Sequence, residues 1–281
     1  MCINTRLKIN FIGYDKLTLI ENSMDLSSLF KSSNEKLGLA LGGGAALGAA
    51  HVGVLKALKE KELKPSYLSG TSIGAFVAAH LAFGTAIERL EEIALELDWL
   101  DISAFKLSKM GMLSNKKLGE MILDELGSQN IEDAEIPLCV IATDISSGNK
   151  VEIKEGPLHK AVMASSCLPG VFAPVEWDDL LLVDGFLCEN VPVSPLKDMG
   201  AKKIIGVDLT TNRDYKRPED IIDVLSNTFD IGLNNMIKTQ IEDKKIHWIQ
   251  PKLSAYDKAD TKQTQQLIDE GYTAAMEALS R

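Results

Sequence analysis

Tyr67-Leu68-Ser69-Gly70-Thr71-Ser72-Ile73-Gly74-Ala75-Phe76-Val77 changes character at its centre. A brief strand-like run over 67–70 turns at Thr71-Ser72 and enters an apolar, helix-compatible stretch, 73–83, that stops at Gly84. The turn reads Gly70-Thr71-Ser72-Ile73-Gly74, a G-x-S-x-G segment between a strand and a helix. In that setting a serine sits on a sharp bend with its hydroxyl thrust outward. Glycines on either side let neighbouring chain pass without a Cβ clash, and the helix N-terminus behind favours negative charge. The competing reading is a glycine-bearing turn in which Ser72 only caps the helix.

Upstream the pattern repeats. Residues 37–41 are a short apolar run ending in Gly42-Gly43-Gly44-Ala45-Ala46-Leu47-Gly48, after which 49–62 has helical spacing through Val52, Leu55 and Leu58. Consecutive small residues between a strand and a helix can aim backbone N–H groups at an anion, as an acyl-transfer enzyme requires for its oxyanion. A nucleotide-phosphate loop or mere tight packing would also use glycines. Here, however, no Gly-Lys-Ser/Thr ending is present, and Gly42, Gly44 and Leu47 fail the G-x-G-x-x-G spacing.

Downstream, 86–100 places Ile87, Leu90, Ile93, Leu97 and Leu100 on one helical face, and Leu118, Met121, Ile122 and Leu126 mark another helix ended by Gly127. Continuous apolar runs at 137–143, 180–183 and 203–209 are of buried-strand type. A helix beginning near Pro218 runs through Ile222, Leu225, Phe229 and Leu233, followed by a strand at 246–249 and a last helix from Thr261. This alternation predicts an α/β fold with a mainly parallel sheet covered by helices on both faces. Without internal repeat or linker, the 281 residues divide into an N-terminal extension, 1–36, and one domain, 37–281. Phe105, Met110, Met112 and Met121 make 104–121 either a mobile lip for acyl chains or part of the core.

Forty acidic against 30 basic side chains leave a formal charge of -10, which argues against a nucleic acid as partner. Two uncharged stretches, 37–55 and 65–87, reach membrane-spanning length, but their glycines suit turns inside a buried sheet better than lipid-facing helices. The extension lacks the uninterrupted apolar core of a signal peptide. Cys2, Cys139, Cys167 and Cys188 are widely spaced with no CxxC pair, which reads as reduced thiols in a cytoplasm and gives no metal-ligand spacing.

A serine nucleophile needs a base, and the histidines are His51, His80, His159 and His247. His51 and His80 fall inside the helices after the two loops, where packing is their expected role. His247 follows Asp184 in the chain, so a Ser/Asp/His order of α/β-hydrolase type stays open, although it lies in a strand-like run. Asp184-Gly185 directly follows the apolar run 180–183, so its carboxylate emerges at a strand end, where sheet enzymes hold their sites. A dyad of Ser72 and Asp184 is the economical reading: the carboxylate accepts the hydroxyl proton and returns it to the leaving group. An ordinary Asp-Gly turn is the alternative.

These clusters are joined in order by His51-Val52-Gly53-Val54-Leu55, Ala142-Thr143-Asp144, Ala164-Ser165-Ser166-Cys167-Leu168-Pro169-Gly170 and Leu182-Val183-Asp184-Gly185 with Asn190 and Pro192. From about Leu37 to the C-terminus the chain resembles the patatin-like phospholipase family, especially its bacterial members. The resemblance implies a three-layer α/β/α fold, a Ser/Asp dyad without a third member, no metal or cofactor, and hydrolysis of fatty-acyl esters or phospholipids with peripheral contact at a membrane. It implies Ser72 as nucleophile and Asp184 as general base. The N–H groups around Gly43, Gly44 and Ala45 would form the oxyanion hole, and Gly42, Gly48, Gly70, Gly74 and Gly185 would support the motifs. Family members usually carry a fourth glycine where this chain has Ala45, an Arg or Lys where it has Leu47, and Gly or Ala where it has Phe186. A lipid-binding or regulatory protein without turnover is therefore the alternative from a different class.

Overall fold

The computed structural model describes residues 36–96, 114–211, 217–219, 221–241, 246–257 and 260–280. Eight strands form one sheet: β1 (Leu37–Leu41), β2 (Tyr67–Thr71), β3 (Leu138–Asp144), β4 (Asn149–Ile153), β5 (Val175–Trp177), β6 (Leu180–Asp184), β7 (Lys203–Val207) and β8 (Ile246–Ile249). Between and after them lie α1 (Ala49–Glu60), α2 (Ile73–Ala82), α3 (Ile87–Glu96), α4 (Lys116–Leu126), α5 (Leu158–Ser165), α6 (Ser194–Asp198), α7 (Ile221–Ile241) and α8 (Thr264–Leu279).

The uniformly apolar strands are those covered on both faces. Every residue of β1 and β3 is buried, and side chains alternate between two layers as the pleat requires. Leu37, Leu39 and Leu41 of β1 enter the larger core with α1, α2 and α8. Ala40 points the other way, into a smaller cluster with Val191, Leu196 of α6 and Ile237 of α7. The expected three-layer α/β/α architecture is thus present. The two uncharged stretches of spanning length fold as β1-loop-α1 and β2-α2, and among the described residues no helix is long and apolar enough to cross a membrane.

The strand order is β5-β6-β3-β2-β1-β7-β8, with β4 also on β3. Pairs β1–β2, β1–β7, β2–β3 and β7–β8 are parallel, as expected. The antiparallel pairs β3–β4, β3–β6 and β5–β6 were not anticipated. Two of them follow from tight connections: Asp178 at φ 49 turns β5 into β6, and Gly148 at φ 74 turns β3 into β4.

One consequence of the register builds the site. Strand β4 occupies one edge of β3 from Val140 to Asp144. The other edge is shared end to end: β2 pairs up to Thr71↔Ile141, and β6, arriving from the opposite direction, pairs down to Ala142↔Asp184. The C-terminal ends of β2 and β6 therefore meet head to head. Of the expected lip, residues 104–113 lie outside the described residues, as does nearly all of the N-terminal extension, whereas Met121 belongs to α4 and packs against the core.

Candidate active site

Ser72 occupies the junction of β2 and α2 with φ 56 and ψ -128, a combination that L residues rarely adopt and that costs about 1–3 kcal/mol. Its surroundings hold it there. The Ser72 N–H donates to Ser165 Oγ at 2.8 Å, and the Ser165 hydroxyl donates to the Ile141 carbonyl at 2.6 Å. The Ser72 carbonyl accepts from the N–H groups of Ala75 and Phe76 at 2.8 and 3.2 Å, which starts α2. So sharp an exit needs glycine at 74, where a Cβ would lie 2.1 Å from the Leu41 carbonyl oxygen. The Ser72 side chain makes no capping bond to α2, so the helix-cap alternative does not describe it.

That hydroxyl instead lies near enough to the carboxylate of Asp184, at the facing strand end, to favour its ionised form. Asp184 is 2% exposed, and its Oδ1 accepts from the Phe186 N–H at 3.1 Å. Burial pushes its carboxyl from 3.8 up to about 7, against the pull of the Ser72 hydroxyl and the Phe186 N–H toward the ionised form. The backbone is tied on both sides: the Asp184 N–H donates to the Cys167 carbonyl at 2.9 Å, and its carbonyl accepts from Thr143 Oγ1 at 3.0 Å.

The glycine loop closes over the same point. The Gly42 N–H donates to the Val207 carbonyl at 3.0 Å, and His51 Nε2 lies 2.8 Å from the Gly42 carbonyl. At Gly43 a Cβ would sit 3.1 Å from Ser72 Cβ and 2.9 Å from Asn190 Oδ1, so the loop runs directly against the serine. The Gly43 N–H donates to Asn190 Oδ1 at 3.2 Å. Gly44 and Ala45 are half-buried, and among the described residues their N–H groups have no acceptor. Ala45 has φ 53, the left-handed region that favours glycine. Leu47 does not face an anion: its side chain is fully buried in the larger core, which explains why an apolar residue is tolerated there. Phe186 is buried and meets the Phe229 ring edge-on at 5.0 Å.

The histidines stay out of this arrangement. His51 and His80 are buried on α1 and α2, where desolvation lowers both rings to about 4. His247 on the edge strand β8 has Nε2 at 3.0 Å from the Ala278 carbonyl of α8, three strands away from β2. The sequence places Ser165 and Asn190 in two motif segments but gives no sign of their contacts to Ser72 and Gly43. Nothing in a one-dimensional pattern announces a bond between residues 93 or 147 positions apart. Among the described residues no group of His, Cys, Asp and Glu is arranged to hold a metal ion.

The chain is 36% identical over 184 residues to an uncharacterized NTE family protein of Mycobacterium tuberculosis, covering 63% of this chain and 50% of that one. It is 31% identical over 212 residues to the neuropathy target esterase sws of Drosophila melanogaster, covering 72% of this chain and 15% of that one. The chain thus spans about half the length of the mycobacterial relative and a smaller part of the insect one. The solved structure of VipD from Legionella pneumophila superposes with a TM-score of 0.51 at 15% identity, covering 88% of this chain and 67% of that one, a likeness of fold. The profile described as patatin-like phospholipase matches residues 39–197, a span that begins in β1 and takes in the glycine loop, Ser72, Asp184 and Asn190. With more than half of the chain inside that match, the protein belongs to the patatin-like phospholipase family.

Proposed function

We propose that this protein is a serine lipid acyl hydrolase acting on fatty-acyl esters, phospholipids among them, from the cytoplasm and through peripheral contact with a membrane or dispersed lipid. The observation that carries the reading is the head-to-head meeting of two strand ends, which sets a serine on a strained elbow against a buried carboxylate that desolvation pushes up to about 7. A base is most effective when its pKa lies near the working pH.

In the proposed first step Ser72 Oγ attacks the ester carbonyl carbon while Asp184 takes the hydroxyl proton. The negative charge that develops on the carbonyl oxygen is met by N–H groups of the loop at Gly43, Gly44 and Ala45 and by the N-terminus of α2. Collapse of the tetrahedral intermediate expels the alcohol, which receives the proton from Asp184. Water then attacks the acyl-serine, with the carboxylate again as base. Fatty acid leaves, and Ser72 recovers its proton.

A fluorophosphonate probe followed by peptide mapping tests this without knowledge of the natural substrate. The adduct is expected on Ser72, and Ser72→Ala should abolish labelling and ester hydrolysis with an unchanged circular dichroism spectrum. An adduct on another serine would overturn the assignment. A wild-type chain that binds lipid vesicles but neither labels nor hydrolyses esters would favour the lipid-binding alternative.

A further inference from the structure

The segment after Asp184 returns along β2 and is pinned to it by polar side chains. Thr71 Oγ1 donates to the Glu189 carbonyl at 2.9 Å, and Ser69 Oγ donates to the Pro192 carbonyl at 2.5 Å. The Glu189 carboxylate, 7% exposed, accepts from the Ser194 N–H and hydroxyl at 2.8 and 2.5 Å and from Lys150 Nζ at 3.0 Å. Between these anchors stands Asn190, 5% exposed, with Oδ1 on the Gly43 N–H and with Nδ2 buried and, among the described residues, without a partner. Asn190 Oδ1 and Ser72 Cβ lie 2.9 and 3.1 Å from the same point above Gly43, so they are no more than about 6 Å apart.

Leaving an amide nitrogen buried and unsatisfied costs about 1–3 kcal/mol, which offsets what Oδ1 contributes on the buried Gly43 N–H, so stability alone gives asparagine no advantage over an apolar residue of the same size. What the asparagine supplies is an acceptor for one particular N–H. Holding the Gly43 N–H fixes the plane of the peptide that enters the loop, and with it the direction of the two N–H groups that follow. We propose that Asn190 is a positioning residue of the oxyanion loop. It occupies the Gly43 N–H and orients the free N–H groups of Gly44 and Ala45 toward the substrate carbonyl oxygen. The inference rests on the hydrolase reading and narrows its oxyanion donors from three to two. The same short strap would then carry the base at one end and the latch of the oxyanion loop near the other.

The test compares wild type with Asn190→Leu, which keeps the volume and removes the acceptor, and Asn190→Asp, which keeps the acceptor and drops the unpartnered nitrogen. Each is assayed with a short soluble ester, for fluorophosphonate labelling rate and for melting temperature. Asn190→Leu is expected to lose tenfold or more in kcat and in labelling rate, with KM within twofold of wild type and no fall in melting temperature. Asn190→Asp should recover most of that loss on its high-pH plateau, with the acid limb of kcat/KM moved to higher pH by the added charge beside Asp184. A wild type labelled on Ser72 together with an equally reactive Asn190→Leu overturns this inference alone, as do equally slow Leu and Asp variants. A wild type that does not label overturns the hydrolase reading and this inference with it. Should Asn190→Leu fail to fold, Asn190→Asp decides: an active variant with a shifted limb supports the role, and a folded, inactive one overturns it.

Discussion

Asp184→Asn separates what the proposed mechanism asks of this carboxylate from what the group does to the fold. Burial moves the carboxyl from 3.8 to about 7. A displacement of about three units, at roughly 1.4 kcal/mol each, corresponds to about 4 kcal/mol of linked stability. Because the folded state holds the proton more tightly than the unfolded chain, the folded protein binds more protons between the two values. The stabilisation is complete below about pH 4, is lost as pH rises toward 7, and is absent above. Asparagine has the same shape, can still accept from the Phe186 N–H, and does not ionise. Relative to wild type, the variant should therefore gain up to about 4 kcal/mol between pH 4 and pH 8. At about 2–4 °C per kcal/mol for a chain of this size, that is a gap in melting temperature widening by roughly 8–16 °C. The same carboxylate should govern catalysis. Wild-type kcat/KM is expected to rise with pH along an acid limb and level near 7, and the variant should lose about 10²–10⁴-fold. Circular dichroism melts at several pH values and a pH–rate profile read the two effects separately. A melting gap independent of pH, or an acid limb that levels near 4, would refute the burial argument.

Three further outcomes are expected. His247→Ala should leave ester turnover within twofold of wild type and lower stability by about 1 kcal/mol through the lost contact with the Ala278 carbonyl, measured by urea unfolding; a crippled enzyme would restore the Ser/Asp/His alternative. Ala45→Gly relieves a φ of 53 but adds freedom to the unfolded chain, so stability should rise by up to about 1 kcal/mol, and a fall in melting temperature would contradict it. Phe186→Ala keeps the N–H that binds Asp184 but opens the ring contact with Phe229, so the acid limb should move below 7 as stability falls by about 3 kcal/mol; an unmoved limb would show that the ring does not desolvate the carboxylate.

The elbow and the glycine loop were legible because each is a local pattern: a short apolar run, small residues, then helical spacing through Val52 and Leu55 or through 73–83. Asp184 could be placed at a strand end for the same reason. The direction of its strand could not, since Leu180-Leu181-Leu182-Val183 reads alike in parallel and antiparallel company. The element that reverses it, β5, is only Val175-Glu176-Trp177, too short for alternation to register. The burial of Leu47 is not legible either, because the loop continues as a short 3-10 turn over Ala45–Gly48 that rotates this side chain into the core. The backbone angle of Ala45 is likewise a property of the folded loop and not of its composition.

The reversal of β6 bears on why a histidine is dispensable in the proposed chemistry. Here β2 and β6 share one edge of β3 and meet end to end, which brings Asp184 up to Ser72 with no strand between them. An ordinary aspartate at 3.8 would be a weak base for a hydroxyl at neutral pH. Placing the pair deep in the sheet corrects this, because the desolvation that permits close approach also lifts the carboxyl to about 7. In the proposed enzyme, burial thus does for the aspartate what an imidazole does in a triad, and the cost appears as stability lost with rising pH. Geometry and basicity then have one origin, the antiparallel arrival of β6, so a substitution that loosens packing around Asp184 should weaken both together.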